Sequence, residues 1–250
     1  MTESNRRVFL REKLKTKTII LNTFAEFLAS TIFSALYFIF ISRYLDQGFH
    51  TDYILLSFSI GLAFFAAVYI PFHTYRIHII PFITLVTALR KRKPIILLHK
   101  IPVQILGAFV GVMIFNTINS ITTKINIEDF QLIQLNNTAL IIAINSITAA
   151  FLSYVFYMIR VLFNSRQLAG TIYLSLFYAA LFAMTSFFAN VSALNPFGYF
   201  FYDLLGNQTM KNQHFLVFIV NHAIMPIAAV LMVYFILIQK NNNKQKNLQQ

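Results

Sequence analysis

The amino-acid sequence predicts an all-α membrane protein with six transmembrane helices and two re-entrant half-helices, arranged in two inverted repeats. The first observation is composition: 58% of the 250 residues are hydrophobic and only 11% are charged, against about 25% charged residues in ordinary soluble domains. The second is that six apolar runs reach the roughly 20 residues that a helix needs to cross a bilayer. The third is a pair of apolar runs about half that long. A chain this apolar can be neither a soluble enzyme domain nor disordered.

The six predicted spans follow a basic segment at residues 1–17 and precede a polar tail at residues 240–250. The first span is too long for the apolar region of a signal peptide, and no small-residue cleavage site follows it. It is therefore predicted to be a transmembrane helix. In chain order the predicted spans cover residues 18–41, 52–72, 95–119, 138–163, 168–189 and 214–239.

Two shorter apolar segments, at residues 79–90 and 196–205, are predicted to enter the membrane without crossing it. Each follows the second span of a group of three and has a proline near its start, Pro81 or Pro196. Proline is tolerated in the first helical turn because the N–H that it lacks has no partner there. The first repeat then covers residues 18–125 and the second covers 126–239. Three spans per repeat make the repeats inverted, which places a pathway at their interface near the midplane.

The distribution of charge predicts the orientation. Seventeen of the 20 lysines and arginines fall in segments that share one side with both termini, and only Arg43, Lys124 and Lys211 fall in the other loops. Cytoplasmic loops carry such an excess, so both termini are expected in the cytoplasm, in a multi-pass protein of the plasma or another cell membrane. This asymmetry accounts for the net charge of +12 without a nucleic-acid partner. The basic run at residues 90–93 is either an ordinary inside loop or a site for anionic lipid head groups.

Five short motifs, taken in order, give the chain a family resemblance. Residues 25–30 (AEFLAS) are similar to AEFLGT, residues 60–63 (IGLA) to FGLA, and residues 104–111 (QILGAFVG) to part of AQLLGAIVGA. Residues 72–85 (FHTYRIHIIPFITL) overlay GHISGAHINPAVTL, and residues 192–197 (SALNPF) overlay a second NPA box. Over about residues 20–238 the chain thus resembles the aquaporin, or major intrinsic protein, family. The resemblance implies a homotetrameric channel, one pore per protomer, for passive permeation of water or small neutral solutes such as glycerol, urea, ammonia or gases.

The resemblance also implies a pore midplane formed by the two boxes, here Ile80-Pro81-Phe82 and Asn195-Pro196-Phe197. The first box lacks its asparagine, so Asn195 is left as the amide that would face the pore. Asn195 is equally suited to cap the second half-helix. Phe82 and Phe197 are expected to pack between helices, and the alternative is that their rings narrow or close the pore.

The family's outer selectivity ring corresponds to four positions that are uncharged in this chain: Ile60, Ala183, Ser192 and Gly198. Water-selective members place a histidine and an arginine in that ring, and this ring has neither. The resemblance therefore favours neutral solutes such as glycerol, or gases, over strict water selectivity.

Glu26 is the one carboxylate well inside a predicted span. It is expected to accept hydrogen bonds from irregular backbone ahead of a half-helix, because unsatisfied backbone is costly in lipid. The alternative is a proton relay. Four residues that precede the first half-helix are expected to line a cytoplasmic vestibule or to form a gate that responds to pH: His73, Tyr75, Arg76 and His78.

The primary interpretation is an aquaporin-like channel in the lipid bilayer. Two alternatives remain: a non-conducting relative with a structural or interaction role, and an ion-coupled secondary transporter that uses Glu26. The sequence holds no nucleophile with a base, no phosphate-binding loop and no set of metal ligands. We therefore expect neither enzymatic activity nor a cofactor or metal ion.

Overall fold

A computed structural model of the chain describes residues 3–46, 53–71, 77–122, 138–163, 167–186, 194–205, 224, 227–232, 234 and 235. Within these ranges the regular structure is helical and contains no strand, as expected for an all-α protein. The helices are α1 (Glu3–Asp46), α2 (Tyr53–Tyr69), α3 (Pro81–Lys91), α4 (Ile95–Thr122), α5 (Thr138–Leu162), α6 (Gln167–Ser186) and α7 (Pro196–Leu205).

Four of the described helices are long and apolar enough to cross a bilayer, which confirms the membrane class. The crossing segments are Thr18–Tyr44 in α1, Ile95–Ser120 in α4, Ile142–Ile159 in α5 and Leu168–Thr185 in α6. The apolar helix Ile54–Tyr69 in α2 is shorter than the span predicted at residues 52–72. Most of the sixth predicted span, at residues 214–239, lies outside the described residues.

Helix α1 begins well before the predicted span at residue 18, because it already starts at Glu3. The basic segment is therefore largely helical and continuous with the first crossing. The physical reason is that backbone hydrogen bonds form a helix in water and in lipid alike, while apolar side chains are needed only in lipid. A change in composition thus marks the membrane boundary and not the end of the helix.

The two half-helices are short and separate helices in the structure. Helix α7 has the bounds predicted from the sequence, whereas α3 starts at Pro81, two residues later than predicted. The start is later because Ile79 has φ of 62° and Ile80 is extended, with φ of −103°. A left-handed isoleucine is rare and strained, so the segment before α3 needs outside contacts to hold it.

Helix α1 is central and packs against α4 on one side and α2 on another, while α2 packs on α6 and α4 on α7. Two glycines one turn apart let α4 lie against the α1 backbone. A Cβ atom at Gly107 would lie 2.6 Å from the carbonyl oxygen of Phe27, and one at Gly111 would lie 2.6 Å from that of Thr31. Small residues commonly allow close contact between the backbones of crossing helices in membrane proteins.

The interior between α1, α2, α6 and α7 is filled by rings that we call the aromatic cluster: Phe33, Tyr37, Phe64, Tyr178, Phe182 and Tyr199. Phe64 and Tyr178 stack at 4.5 Å between ring centroids, and Phe33 meets both of them edge-on. The Tyr178 hydroxyl donates to the backbone oxygen of Leu194 at 2.6 Å, just before α7 begins. The cluster therefore both fills the core and anchors the approach to the second half-helix.

Candidate functional site

The carboxylate of Glu26, on α1, lies against the non-helical segment that leads into α3. The backbone N–H of Ile79 donates to Oε1 at 2.7 Å, and the N–H of His78 donates to both carboxylate oxygens at 2.9 and 3.1 Å. Glu26 is fully buried. The two donors belong to the segment that contains the left-handed Ile79. The carboxylate therefore stabilises a backbone conformation whose N–H groups would find no hydrogen-bond partner in lipid.

Two side chains from α4 complete the surroundings of this carboxylate. The Lys100 ammonium lies 2.5 Å from Oε2, and the Gln104 amide donates to Oε1 at 2.7 Å. Lys100 has only 12% of its side chain exposed, so the pair is a largely buried salt bridge. Lys100 was counted among the cations on the inner side of the membrane and lies within the predicted span at residues 95–119. The spacing of Lys100 and Gln104, four residues apart within an apolar run, was the available signal that both point to one partner.

Thr84 links this network to the half-helix itself. Its hydroxyl oxygen accepts a hydrogen bond from the Gln104 amide at 2.9 Å and lies 3.1 Å from Nδ1 of His78. His78 is buried and belongs to this network. The other three residues of the predicted vestibule, His73, Tyr75 and Arg76, lie outside the described residues.

The starts of the two half-helices line one small cavity, which we call the junction cavity. It has a volume of about 10 Å³, which is room for about one water molecule. Its walls come from the two box segments and from facing positions of α1 and α4: Ile79, Ile80, Pro81, Asn195, Pro196, Phe197, Ser30, Ser34, Gln104 and Ala108. Phe197 therefore borders the cavity, whereas Phe82 is buried in the core. Two box segments that are 115 residues apart in the chain thus meet in space.

Asn195 caps α7. Its Oδ1 accepts hydrogen bonds from the backbone N–H of Gly198 at 3.2 Å and from the Ser34 hydroxyl at 3.4 Å. A Cβ atom at Gly198 would overlap the side-chain amide of Asn195. A larger residue at position 198 would therefore displace the capping amide. The cap formed by Asn195 thus requires glycine at this position of the predicted outer ring.

Three residues that line the junction cavity each have a buried polar atom with no hydrogen-bond partner among the described residues. The atoms are Oγ of Ser30, Oε1 of Gln104 and Nδ2 of Asn195, and all three side chains are buried. Buried polar groups without a partner are unfavourable, and a water molecule in a cavity usually has two to four such partners. The residues that line the cavity thus retain one amide donor, one carbonyl acceptor and one hydroxyl without a described partner.

The remaining residues of the predicted outer ring lie beside the aromatic cluster. Ile60 is fully buried on α2, one turn before Phe64, and Ala183 is half-buried on α6, next to Phe182. Ser192 lies outside the described residues. Ile60 and Ala183 lie on α2 and α6, and the stacked side chains of Phe64 and Tyr178 fill the space between these two helices.

In the described part of the chain, no group of three or more histidine, cysteine, aspartate or glutamate side chains is placed to hold a metal ion. Comparison with protein-family models gives no match for this chain, and comparison with curated protein sequences gives none either.

Proposed function

We propose that the protein is an aquaporin-like membrane channel for passive permeation of water and small neutral solutes. The observation that carries the proposal is the junction cavity, where two broken helices from the two halves of the chain begin side by side. Irregular backbone at membrane depth is tolerated where it is buried in protein or lines a wet path. Paired half-helices at a repeat interface are typical of transport pathways.

The chemistry of the junction cavity favours a neutral and very small solute. Both half-helices point their N-terminal ends towards it, and helix N-termini carry partial positive charge that opposes cations. The polar groups on its walls are amides and hydroxyls without formal charge. A volume of about 10 Å³ admits one water-sized molecule at a time. We therefore expect water and ammonia to pass faster than urea or glycerol, which differs from the preference for glycerol-like solutes expected from the outer ring.

The surroundings of Glu26 argue against an ion-coupled mechanism. A coupling carboxylate must gain and lose an ion during the cycle. Here the carboxylate is paired with Lys100 and also accepts bonds from two backbone N–H groups and one amide. Releasing all of these partners in each cycle would break the segment that leads into α3.

The direct test is flux into proteoliposomes, measured by stopped-flow light scattering for water, urea and glycerol and by a pH dye for ammonia. Protein-containing vesicles are expected to take up water and ammonia faster than empty vesicles. The Phe64→Ala variant should raise the flux further, because it removes a ring from the space between α2 and α6. Phe115→Ala is the matched control, since it removes an equally buried ring from α4, outside the aromatic cluster.

A second candidate function is a non-conducting relative with a structural or interaction role. The observation that favours it is the aromatic cluster, whose rings are stacked and edge-packed in the space where the resemblance would put the outer pore. Flux equal to that of empty vesicles, in the wild type and in Phe64→Ala alike, would favour this candidate and contradict the channel. For both candidates we propose a homotetramer, and the mass of the complex in nanodiscs gives the number of protomers.

Hydration of the junction cavity can be tested through the sign of a stability change. If the Ser30 hydroxyl binds a water molecule there, Ser30→Ala should lower the free energy of unfolding by about 0.5–1.5 kcal/mol. If the cavity is dry, the same change removes an unpartnered buried hydroxyl, so stability should be unchanged or higher. Ser153→Ala is the control, because Ser153 is also buried but donates to the Ala149 oxygen at 2.7 Å in its own helix. Denaturant unfolding in detergent measures both variants.

A further inference from the structure

Four consecutive cations connect the first half-helix to the span that follows it. We call Arg90, Lys91, Arg92 and Lys93 the basic turn. All four side chains are exposed, although the helices on both sides of the turn are largely apolar. The sequence contains no aspartate or glutamate between residues 53 and 127. Lys100, which follows the turn on α4, pairs with the Glu26 carboxylate on α1.

The backbone of the basic turn is held in a defined shape. Arg92 is left-handed, with φ of 51°. Its N–H donates to the oxygen of Leu89 at 3.1 Å, and the N–H of Lys93 donates to that of Ala88 at 3.0 Å. These bonds are of the kind that closes a helix at its C-terminus. The turn therefore presents its cations from a closed helix end, where positive charge is also favoured by the helix dipole.

Contacts with α5 and the start of α4 set the position of the turn. The Arg90 guanidinium lies 4.3 Å from the centre of the Tyr157 ring on α5, a cation–π contact. Two residues beyond the turn, the crossing segment of α4 begins at Ile95. Ile95 and Leu98 have 51% and 71% of their side chains exposed. The cations thus lie where a bilayer has its head groups, and an apolar surface begins directly beside them.

We propose that the basic turn is a binding site for the phosphate of an anionic membrane lipid, whose acyl chain lies along the exposed side chains of Ile95 and Leu98. The charge of the site and the head group are complementary, and clusters of four or more cations at the end of a membrane span are typical of such sites. We assign the phosphate to a lipid of the bilayer and not to a soluble phosphate, because a soluble phosphate would leave the exposed side chains of Ile95 and Leu98 without a contact. The inference does not depend on whether the protein conducts.

The test uses the full-length protein in detergent and native mass spectrometry, with phosphatidylglycerol and phosphatidylcholine of identical acyl chains. Wild type is expected to prefer phosphatidylglycerol. Each cation contributes about 1 kcal/mol near a membrane surface, which is about fivefold in affinity. Neutralising three of them with Lys91→Gln, Arg92→Gln and Lys93→Gln together should therefore reduce the preference roughly a hundredfold. Arg90 is left unchanged because it also packs on Tyr157.

The matched control removes three charges from the polar tail with Lys240→Gln, Lys244→Gln and Lys246→Gln. This triple variant should keep the wild-type preference. An equal loss in both triple variants would mean a general charge effect, and an unchanged preference in the basic-turn variant would mean that the site is elsewhere. Either result overturns the proposal, as does displacement of the lipid by inorganic phosphate alone. If the triple variant fails to elute as a single species, Lys91→Gln and Lys93→Gln are measured singly, each with an expected loss of about fivefold.

Discussion

Replacing Glu26 by leucine is expected to prevent the protein from accumulating as a folded species. The change removes the acceptor for two backbone N–H groups and for the Gln104 amide, and it leaves the Lys100 ammonium largely buried without its counter-charge. Breaking a buried pair by removing one partner costs about 3–5 kcal/mol. That is a large part of the 5–15 kcal/mol that stabilises an ordinary domain. Fluorescence-detected size exclusion of a tagged protein measures the folded fraction.

The Glu26→Gln variant separates hydrogen bonding from charge. An amide oxygen still accepts from the backbone of His78 and Ile79, but it does not neutralise Lys100. We expect a folded protein of reduced stability, and a partial recovery in the double variant Glu26→Gln with Lys100→Met, where the cation that lost the Glu26 charge is also removed. Lys93→Gln, at an exposed lysine of the neighbouring turn, is the control and should be close to neutral. Wild-type stability of Glu26→Leu would exclude the bracing role.

A second large loss is expected from Gly107→Ala, although alanine normally stabilises a helix relative to glycine. The added methyl group would lie 2.6 Å from the Phe27 carbonyl oxygen and 2.8 Å from the Ser30 Cβ atom. A backbone oxygen inside α1 cannot rotate away, so α4 must move outward and lose contact along its length. Overpacking of a well-filled core costs about 1–3 kcal/mol, and occasionally more. Because Gly111 makes the same kind of contact with Thr31, the double variant should fail to fold.

The matched control for this experiment is Gly170→Ala in α6. Among the described residues, a Cβ atom there would meet the side chain of Phe163 alone, whose Cβ atom would lie at 3.1 Å, and no backbone atom of another helix would have to move. Alanine in a helix interior gains about 0.5–1 kcal/mol over glycine, so Gly170→Ala should be neutral or stabilising. Thermal unfolding of Gly107→Ala and Gly170→Ala in one detergent compares their stability. Equal stability of Gly107→Ala and Gly170→Ala would show that α1 and α4 are not in close contact.

Most of the described helices could be predicted from the sequence because their signals are local. The apolar runs predicted at residues 95–119 and 138–163 correspond to α4 and α5, and Pro196 marks the first residue of α7. Length in lipid and the fixed φ of proline depend on nearby residues alone. The predicted start of α3 was two residues too early, because the left-handed Ile79 is held by Glu26, which is 53 residues away in the chain.

The site was only partly predictable for the same reason. Glu26 could be singled out, since a carboxylate in an apolar run is conspicuous, and irregular backbone ahead of a half-helix was its expected partner. The spacing of Lys100 and Gln104 indicates that both side chains share a helix face, but it does not identify Glu26 as the residue that they contact. The long side chain of Lys100 can reach either way, and only the packing of α4 on α1 directs it to the carboxylate.

The sequence by itself determined that this is a helical membrane protein and where its apolar segments and half-helix prolines lie, because composition, run length and the geometry of proline act within a few residues. The tertiary structure decided three further features: the Glu26–Lys100 pair, the junction cavity between the two half-helices, and the aromatic cluster beside Ile60 and Ala183. Each of these joins helices that are distant in the chain. Their geometry depends on close contacts such as that of Gly107 with the α1 backbone, and hydrophobic patterning does not encode which faces of two apolar helices meet.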